Sequence, residues 1–227
     1  MQKLIAVVPV RAGSKGFPGK NTKPLEGTPL YRRAALQGVR TTGSALISTD
    51  IDEILRKEQP AHIQVSRRPE NLSSDNASME EVLKYVIEKE GLEDFTLVLL
   101  QATSPLRRDT DIQEAIRLYE KGHHDLVMSV VKKDNGILKY GTLEDGYFTA
   151  VRKPSYCFQN RQQLPDVYAP NGAVYVFSAR QFIESGGFPT GKIGAIQMAP
   201  EHSLDIDTKE DFMAVAARLH KNHQKLE

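Results

Sequence analysis

Val8-Pro9-Val10-Arg11-Ala12-Gly13-Ser14-Lys15-Gly16-Phe17-Pro18-Gly19-Lys20-Asn21 continues an apolar run, Leu4 to Val8, that reads as a buried parallel strand. Eleven residues, Arg11 to Asn21, carry three cations, three glycines and a serine. Glycine lets a backbone turn its N–H groups toward an anion, and the cations neutralise one bearing several charges. A loop leaving the C-terminal end of the first strand of an α/β sheet lies where such sheets bind ligands. A nucleoside triphosphate suits this chemistry best. The loop is not a P-loop: the frame ending Gly19-Lys20 begins with Ser14 and closes with Asn21, which offers magnesium no hydroxyl. It is not a dinucleotide fingerprint either, because the G-x-G-x-x-G spacing is missing. Pro18 and Pro24 argue against a helix starting at once.

The chain has 227 residues, enough for one domain with a substantial core. Its formal charge of +1 gives no bulk attraction to nucleic acid or to a membrane, so the basic loop is a local feature. A lone cysteine, Cys157, leaves no internal disulfide and suits a reducing compartment. No apolar stretch reaches membrane-spanning length and no secretion pattern opens the chain, so a cytoplasmic protein is expected.

Strand and helix patterns alternate along the chain. Ala45 to Thr49 and His62 to Ser66 read as short strands. Met79, Val82, Leu83, Val86 and Ile87 fall at helical spacing behind a capping box of Ser78 and Glu81. Thr96 to Leu100 is a buried strand, Thr110 and Gln113 could cap the next helix, and Leu126 to Val131 is another strand. Residues 132–170 break the rhythm. They are polar, with two hairpin-like pieces around Gly141 and Gly146, and read as an inserted arm. Strands resume at Ala173 to Phe177 and Lys192 to Met198, before a C-terminal helix with Phe212, Val215, Ala216 and Leu219 inward. The expected fold is α/β: one domain over 1–227, a mainly parallel sheet with helices on both faces, and an arm over 132–170.

Three further clusters can carry chemistry. In Asp205-Ile206-Asp207 the carboxylates are two apart, so an extended backbone points both to one side, where hard oxygens suit magnesium. The alternative is that Asp207 or Thr208 caps the following helix. Gln101, at the end of the buried strand, has an amide able to read a base, a ribose or a sugar acid. Ser104 to Arg107 reads as a turn with Arg107 in solvent. Arg67-Arg68-Pro69 offers an arginine fork for a carboxylate or phosphate, whereas Ser78 has a competing role as helix cap. The histidines form no metal set, and no Ser-His-Asp or Cys-His pattern is present.

VPVRAGSKGFPGKN, RRPENLSSDNAS, LLQATSPLR, RQQLP, PNGAVYVF and SLDIDTKEDF resemble, in that order, the motifs of the acylneuraminate (sialic acid) cytidylyltransferases. The resemblance implies a Rossmann-like nucleotidyltransferase that joins CTP to a nine-carbon α-keto sugar acid and releases pyrophosphate. It also implies magnesium and a homodimer, with no nucleic-acid or membrane partner. On this resemblance Arg11, Ser14, Lys15, Lys20 and Asn21 form the CTP loop, with Arg11 and Lys20 catalytic. Asp205 and Asp207 are the catalytic magnesium carboxylates. Arg68 and Ser78 belong to the nucleotide site; Gln101, Lys139, Arg161 and Asn171 belong to the sugar site. Lys139 and Arg161 lie in the dimerisation arm, which reaches the neighbour's sugar pocket.

Ala102 stands where the family usually has proline, Asn135-Gly136-Ile137 where many relatives have a His-Pro pair, and Ala169 where some have a basic residue. Sialic, legionaminic and related nonulosonic acids all remain open as substrates. The alternatives are a cytidylyltransferase for another sugar acid, such as 3-deoxy-manno-octulosonate, and a non-catalytic nucleotide-binding protein.

Overall fold

The computed structural model describes residues 3–13 and 15–223, with side chains as far as residue 220. Ser14, expected in the phosphate loop, lies outside the described residues. The chain runs β1 (Lys3–Val10), a small ribbon β2 (Pro24–Leu25) and β3 (Thr28–Pro29), α1 (Leu30–Thr42), β4 (Ala45–Thr49), α2 (Asp52–Arg56) and β5 (Ile63–Arg67). It continues with α3 (Met79–Glu90), β6 (Phe95–Leu100), α4 (Asp109–Glu120), β7 (Leu126–Lys133) and the hairpin β8 (Gly141–Glu144) and β9 (Tyr147–Ala150). β10 (Val167–Ser178), α5 (Ala179–Glu184), β11 (Ile193–Gln197) and α6 (Lys209–His223) complete it.

Seven strands form one sheet in the order β11-β7-β10-β6-β1-β4-β5. All pairings are parallel except those of β10, which runs antiparallel to both β6 and β7. Alternation along β1 shows why the sheet is covered on both sides. Ala6, Val8 and Val10 face a core shared with α1 and α4, while Ile5 and Val7 face a second core shared with α3 and α5. The mainly parallel α/β architecture with helices on both faces is therefore as read from the sequence.

Several local readings change. The helix α1 was not read from the sequence, although Leu30, Tyr31, Ala34, Ala35 and Gly38 are buried along one face at helical spacing. α4 starts at Asp109, and its first turn is closed by the Asp111 carboxylate, which accepts from the Arg108 N–H at 2.8 Å. Thr110 is therefore inside the helix and does not cap it. The two hairpin-like pieces are the two strands of one hairpin, turning at Asp145 and Gly146, both with positive φ. The Ser78–Glu81 capping box forms as expected.

Gly38 lets α1 lie directly on the sheet. A Cβ there would stand 2.4 Å from the Ala6 Cβ and 3.2 Å from the Ala45 Cβ. Gly38→Val should destabilise the protein by about 1–3 kcal/mol through overpacking. The midpoint of chemical denaturation checks this; an unchanged midpoint would mean that the helix can lift at no cost.

Candidate active site

A cavity of about 480 Å³ opens at the C-terminal edge of the central strands. Arg11, Lys15, Lys20 and Asn21 line it from the loop after β1, Arg68 from the end of β5, Gln101 from the end of β6, and Asp207 from the segment before α6. These residues are scattered through the sequence and meet because parallel strands all end on this edge.

The loop is held in shape from within and from below. The Asn21 amide donates to the Arg11 carbonyl at 3.1 Å, tying the two ends of the loop together. The Ala12 N–H donates to the Asp50 carboxylate at 3.0 Å. Gly19 adopts φ 68°, a left-handed conformation that favours glycine, just before a 3-10 turn over Lys20–Thr22. Lys20 is only 9% exposed. Its ammonium donates to the Ile206 carbonyl at 2.6 Å and to Asp207 Oδ1 at 3.0 Å. The loop therefore rests against the Asp205–Asp207 segment. Gly16 completes that seam, since a Cβ there would lie 2.6 Å from the Asp207 carbonyl oxygen.

Arg11 and Lys15 both contact Asp75, each at 2.6 Å. Those bonds, from Lys15 first and Arg11 second, hold the Asp75 carboxyl below its ordinary pKa. Sequence reading missed Asp75, which lies in RRPENLSSDNAS and could have been sought as the counter-charge to the loop. Arg68 is buried, and its guanidinium donates to the Ser48 carbonyl at 2.9 Å. Burial pushes its pKa down to about 10, with nearby Asp50 opposing and Arg11 adding to the fall.

The helix-cap alternative is settled for Asp207. Thr208 and Asp211 cap α6: the Asp211 N–H donates to the Thr208 hydroxyl at 3.1 Å, and the Thr208 N–H to the Asp211 carboxylate at 2.8 Å. Asp207 is left free to face Lys20 and the cavity. Asp205 packs against the turn after β6, where the Ser104 hydroxyl approaches its Oδ1 at 3.4 Å. Desolvation raises the Asp205 pKa, a hydrogen bond from Thr103 opposes the rise, and the Asp207 charge adds to it.

Other expected site residues are placed differently. The Ser78 hydroxyl is engaged as the cap of α3, where it accepts from the Glu81 N–H at 3.1 Å; its neighbour Met79 lines the cavity instead. The Asn171 side chain spans the turn in β10. Its Oδ1 accepts from the Ser129 hydroxyl at 2.5 Å and from the Ala173 N–H, and its Nδ2 donates to the Ser203 hydroxyl at 3.0 Å. Lys139 and Arg161 lie in the segment between β7 and β10 and do not line the cavity; Arg161 pairs with Asp134 at 3.1 Å. Arg107, read as solvated, is buried at 2% exposure. Among the described residues no three histidine, cysteine or carboxylate side chains gather as a metal site; of the expected pair, Asp207 lines the cavity and Asp205 does not. No helix of the described residues is long and apolar enough to cross a membrane.

The pattern of the cytidylyltransferase family matches residues 5–183. The chain belongs to that family. It is 35% identical over 225 residues to the N-acylneuraminate cytidylyltransferase of Streptococcus agalactiae serotype V, covering 96% of this chain and 53% of that protein. It is 32% identical to the N-acylneuraminate cytidylyltransferase of Escherichia coli O18:K1:H7, covering 99% of this chain and 54% of that protein. The chain thus spans about half the length of the curated relatives it matches.

Among solved structures, CMP:2-keto-3-deoxy-manno-octonic acid synthetase complexed with CTP superposes with a TM-score of 0.70 at 15% identity, covering 97% of this chain and all of that one. The 4-diphosphocytidyl-2C-methyl-D-erythritol synthase of Anaerococcus prevotii superposes with a TM-score of 0.63 at 12% identity, covering 96% of each chain. These two likenesses concern the fold alone, and they agree with its Rossmann-like, mainly parallel α/β reading.

The tight seam at Gly16 gives a test of the cavity. Gly16→Ala should force the loop off the Asp207 carbonyl, and a strain of about 1–3 kcal/mol borne there should weaken binding of any nucleotide that the cavity takes roughly 5- to 150-fold. Titration calorimetry with CTP measures it, and unchanged affinity would place the nucleotide elsewhere.

Proposed function

We propose that this chain transfers CMP from CTP to the anomeric hydroxyl of a nine-carbon α-keto sugar acid, with release of pyrophosphate. Sialic, legionaminic and related nonulosonic acids form the candidate class. The observation that carries the reading is the meeting of Arg11, Lys15, Lys20, Asn21, Gln101 and Asp207 in one cavity at the sheet edge. The names of the two relatives described above support the acceptor class.

In the reaction, the hydroxyl oxygen bonds to the α-phosphorus of CTP, the bond to the β-phosphate bridging oxygen breaks, and the hydroxyl proton is lost. Positioning and charge neutralisation account for most of such catalysis. Arg11 and Lys15 meet the triphosphate at the loop, exchanging Asp75 for phosphate oxygens. Lys20 stands beside Asp207, where negative charge grows on the departing pyrophosphate. Buried Arg68 adds a fixed positive charge to the nucleotide side, and the Gln101 amide orients a substrate by donating and accepting together.

Asp207 lines the cavity and Asp205 lies two residues before it against Ser104; these carboxylates would hold magnesium, which takes one or two carboxylates and completes its shell with water and substrate phosphate. When bound there, the ion would polarise the α-phosphate and ease loss of the hydroxyl proton. A cytoplasmic setting, where CTP is made, suits the unpaired Cys157.

The arm fits a homodimer. Leu143, Tyr147 and Phe158 are 75%, 79% and 91% exposed, an apolar surface that a second copy would cover. Lys139 and Arg161 would then serve the sugar carboxylate in the partner's site.

Incubating the protein with CTP, magnesium and a panel of eight- and nine-carbon sugar acids tests the reaction. Pyrophosphate should appear with a nonulosonic acid; release with only the eight-carbon acid would favour the alternative acceptor. Asp207→Asn should lower turnover about 100-fold or more with an unchanged melting temperature. Near-normal turnover at saturating magnesium would remove this carboxylate from the metal site. Mixing inactive Asp207→Asn chains with inactive Arg161→Ala chains should restore part of the activity, because one site of each mixed dimer is intact. If subunits exchange and nothing returns, the arm serves its own chain.

A further inference from the structure

Arg107 stands outside the cavity, yet its guanidinium joins the cavity-lining turn after β6 to β10. One Nη1 donates to the Gln101 carbonyl at 3.1 Å and to the Ala173 carbonyl at 2.7 Å. The Nη2 donates to Gln37 Oε1 at 3.0 Å, and Gln37 Nε2 returns a bond to the Arg107 carbonyl at 2.6 Å. Among the described residues no carboxylate bonds to it directly. Asp109 is held by Arg40 at 2.5 and 3.0 Å, and Asp111 by Arg108 at 2.8 Å. Nε has no partner among the described residues.

A buried cation without a bonded counter-ion is unfavourable, and burial drives the Arg107 pKa down to about 10. The charges of nearby Asp109 and Asp111 oppose the fall, and carbonyl dipoles supply direct contacts. The Gln101 carbonyl belongs to the turn at the cavity: Gln101 follows β6, and Ala102 and Thr103 line the opening beside it. The Thr103 carbonyl accepts from the Ile206 N–H at 2.9 Å, so this turn also carries the Asp205–Asp207 segment. Ala173 lies within the irregular step in β10 between Pro170 and Tyr175. A planar fork can span these carbonyls together, whereas the compact ammonium of lysine cannot.

We propose that Arg107 is a positioning residue whose buried guanidinium clamps the Gln101 and Ala173 carbonyls, holding the Gln101 amide at the cavity. Gln37 backs the clamp from α1. The link to turnover rests on the reaction proposed above; the clamp itself does not.

The test uses Arg107→Lys in the full chain, with Gln37→Leu as a milder second variant should the first fail to fold. Amide hydrogen exchange at Ala102–Ser104 and Ala173–Val174 should rise about tenfold or more, while β1 and β4 keep their protection. With CTP and the sugar acid, kcat/KM should fall about 10- to 100-fold. Most of that loss should vanish in a Gln101→Ala background, because the clamp acts through Gln101. Unchanged exchange at those amides overturns the proposal. So do losses that multiply to within about twofold in the double variant, since they would mark a merely structural residue. A wild-type chain that releases no pyrophosphate with any nonulosonic acid overturns the proposed reaction, while the exchange measurement still decides the clamp.

Discussion

The Lys20 ammonium on the Ile206 carbonyl and the Asp207 carboxylate joins the two ends of the chain. A lysine this buried must find acceptors, and it finds them on a segment almost the whole sequence away. The consequence is geometric. The cationic loop after β1 and the carboxylate-bearing segment before α6 cannot move independently, and Gly16 lets their backbones touch. Placing ammonium and carboxylate side by side also offsets one of the four cations that line the cavity. Asp75 does the same for Arg11 and Lys15 on the opposite wall. The cations are therefore stored in ion pairs of modest strength, which a multiply charged phosphate chain can displace.

Much of this was legible in the residues. Strands buried on both faces read as continuous apolar runs, so β1 and β6 could be found without partners. Glycines and cations after a first strand gave the position of the cavity, because topology places the C-terminal ends of the parallel strands on one edge. Ser78 and Glu81 wrote their cap in local spacing. Arg107 was not legible: its partners, Gln37, Gln101 and Ala173, come from three elements, and nothing local distinguishes it from a solvated arginine. Asn171 fell on the same limit, since its contacts with Ser129 and Ser203 are set by how β10 enters the sheet. α1 was overlooked for another reason. Its inward face is built of alanine and glycine, which carry little hydrophobic signal although they allow the closest approach to the sheet.

Ion pairs and hydrogen bonds divide their work here by depth. At the surface of the cavity they hold charges that a ligand can take over. Beneath it, Arg68 on Ser48 and Arg107 on backbone carbonyls fix the strand ends that carry those charges. Desolvation makes the deeper bonds harder to exchange, so the frame stays rigid while the lining can respond.

The antiparallel placement of β10 has a separate consequence. Val167 pairs with Lys133, so residues 134–166 leave the sheet and return to it at the same point. The entropy of closing such an excursion grows only with the logarithm of its length. The segment is therefore a cassette: it can be shortened, extended or exchanged for that of a relative while β7 and β10 keep their register. Changes in what the protein grips or pairs with can accumulate there without being transmitted to the strands that hold the cavity.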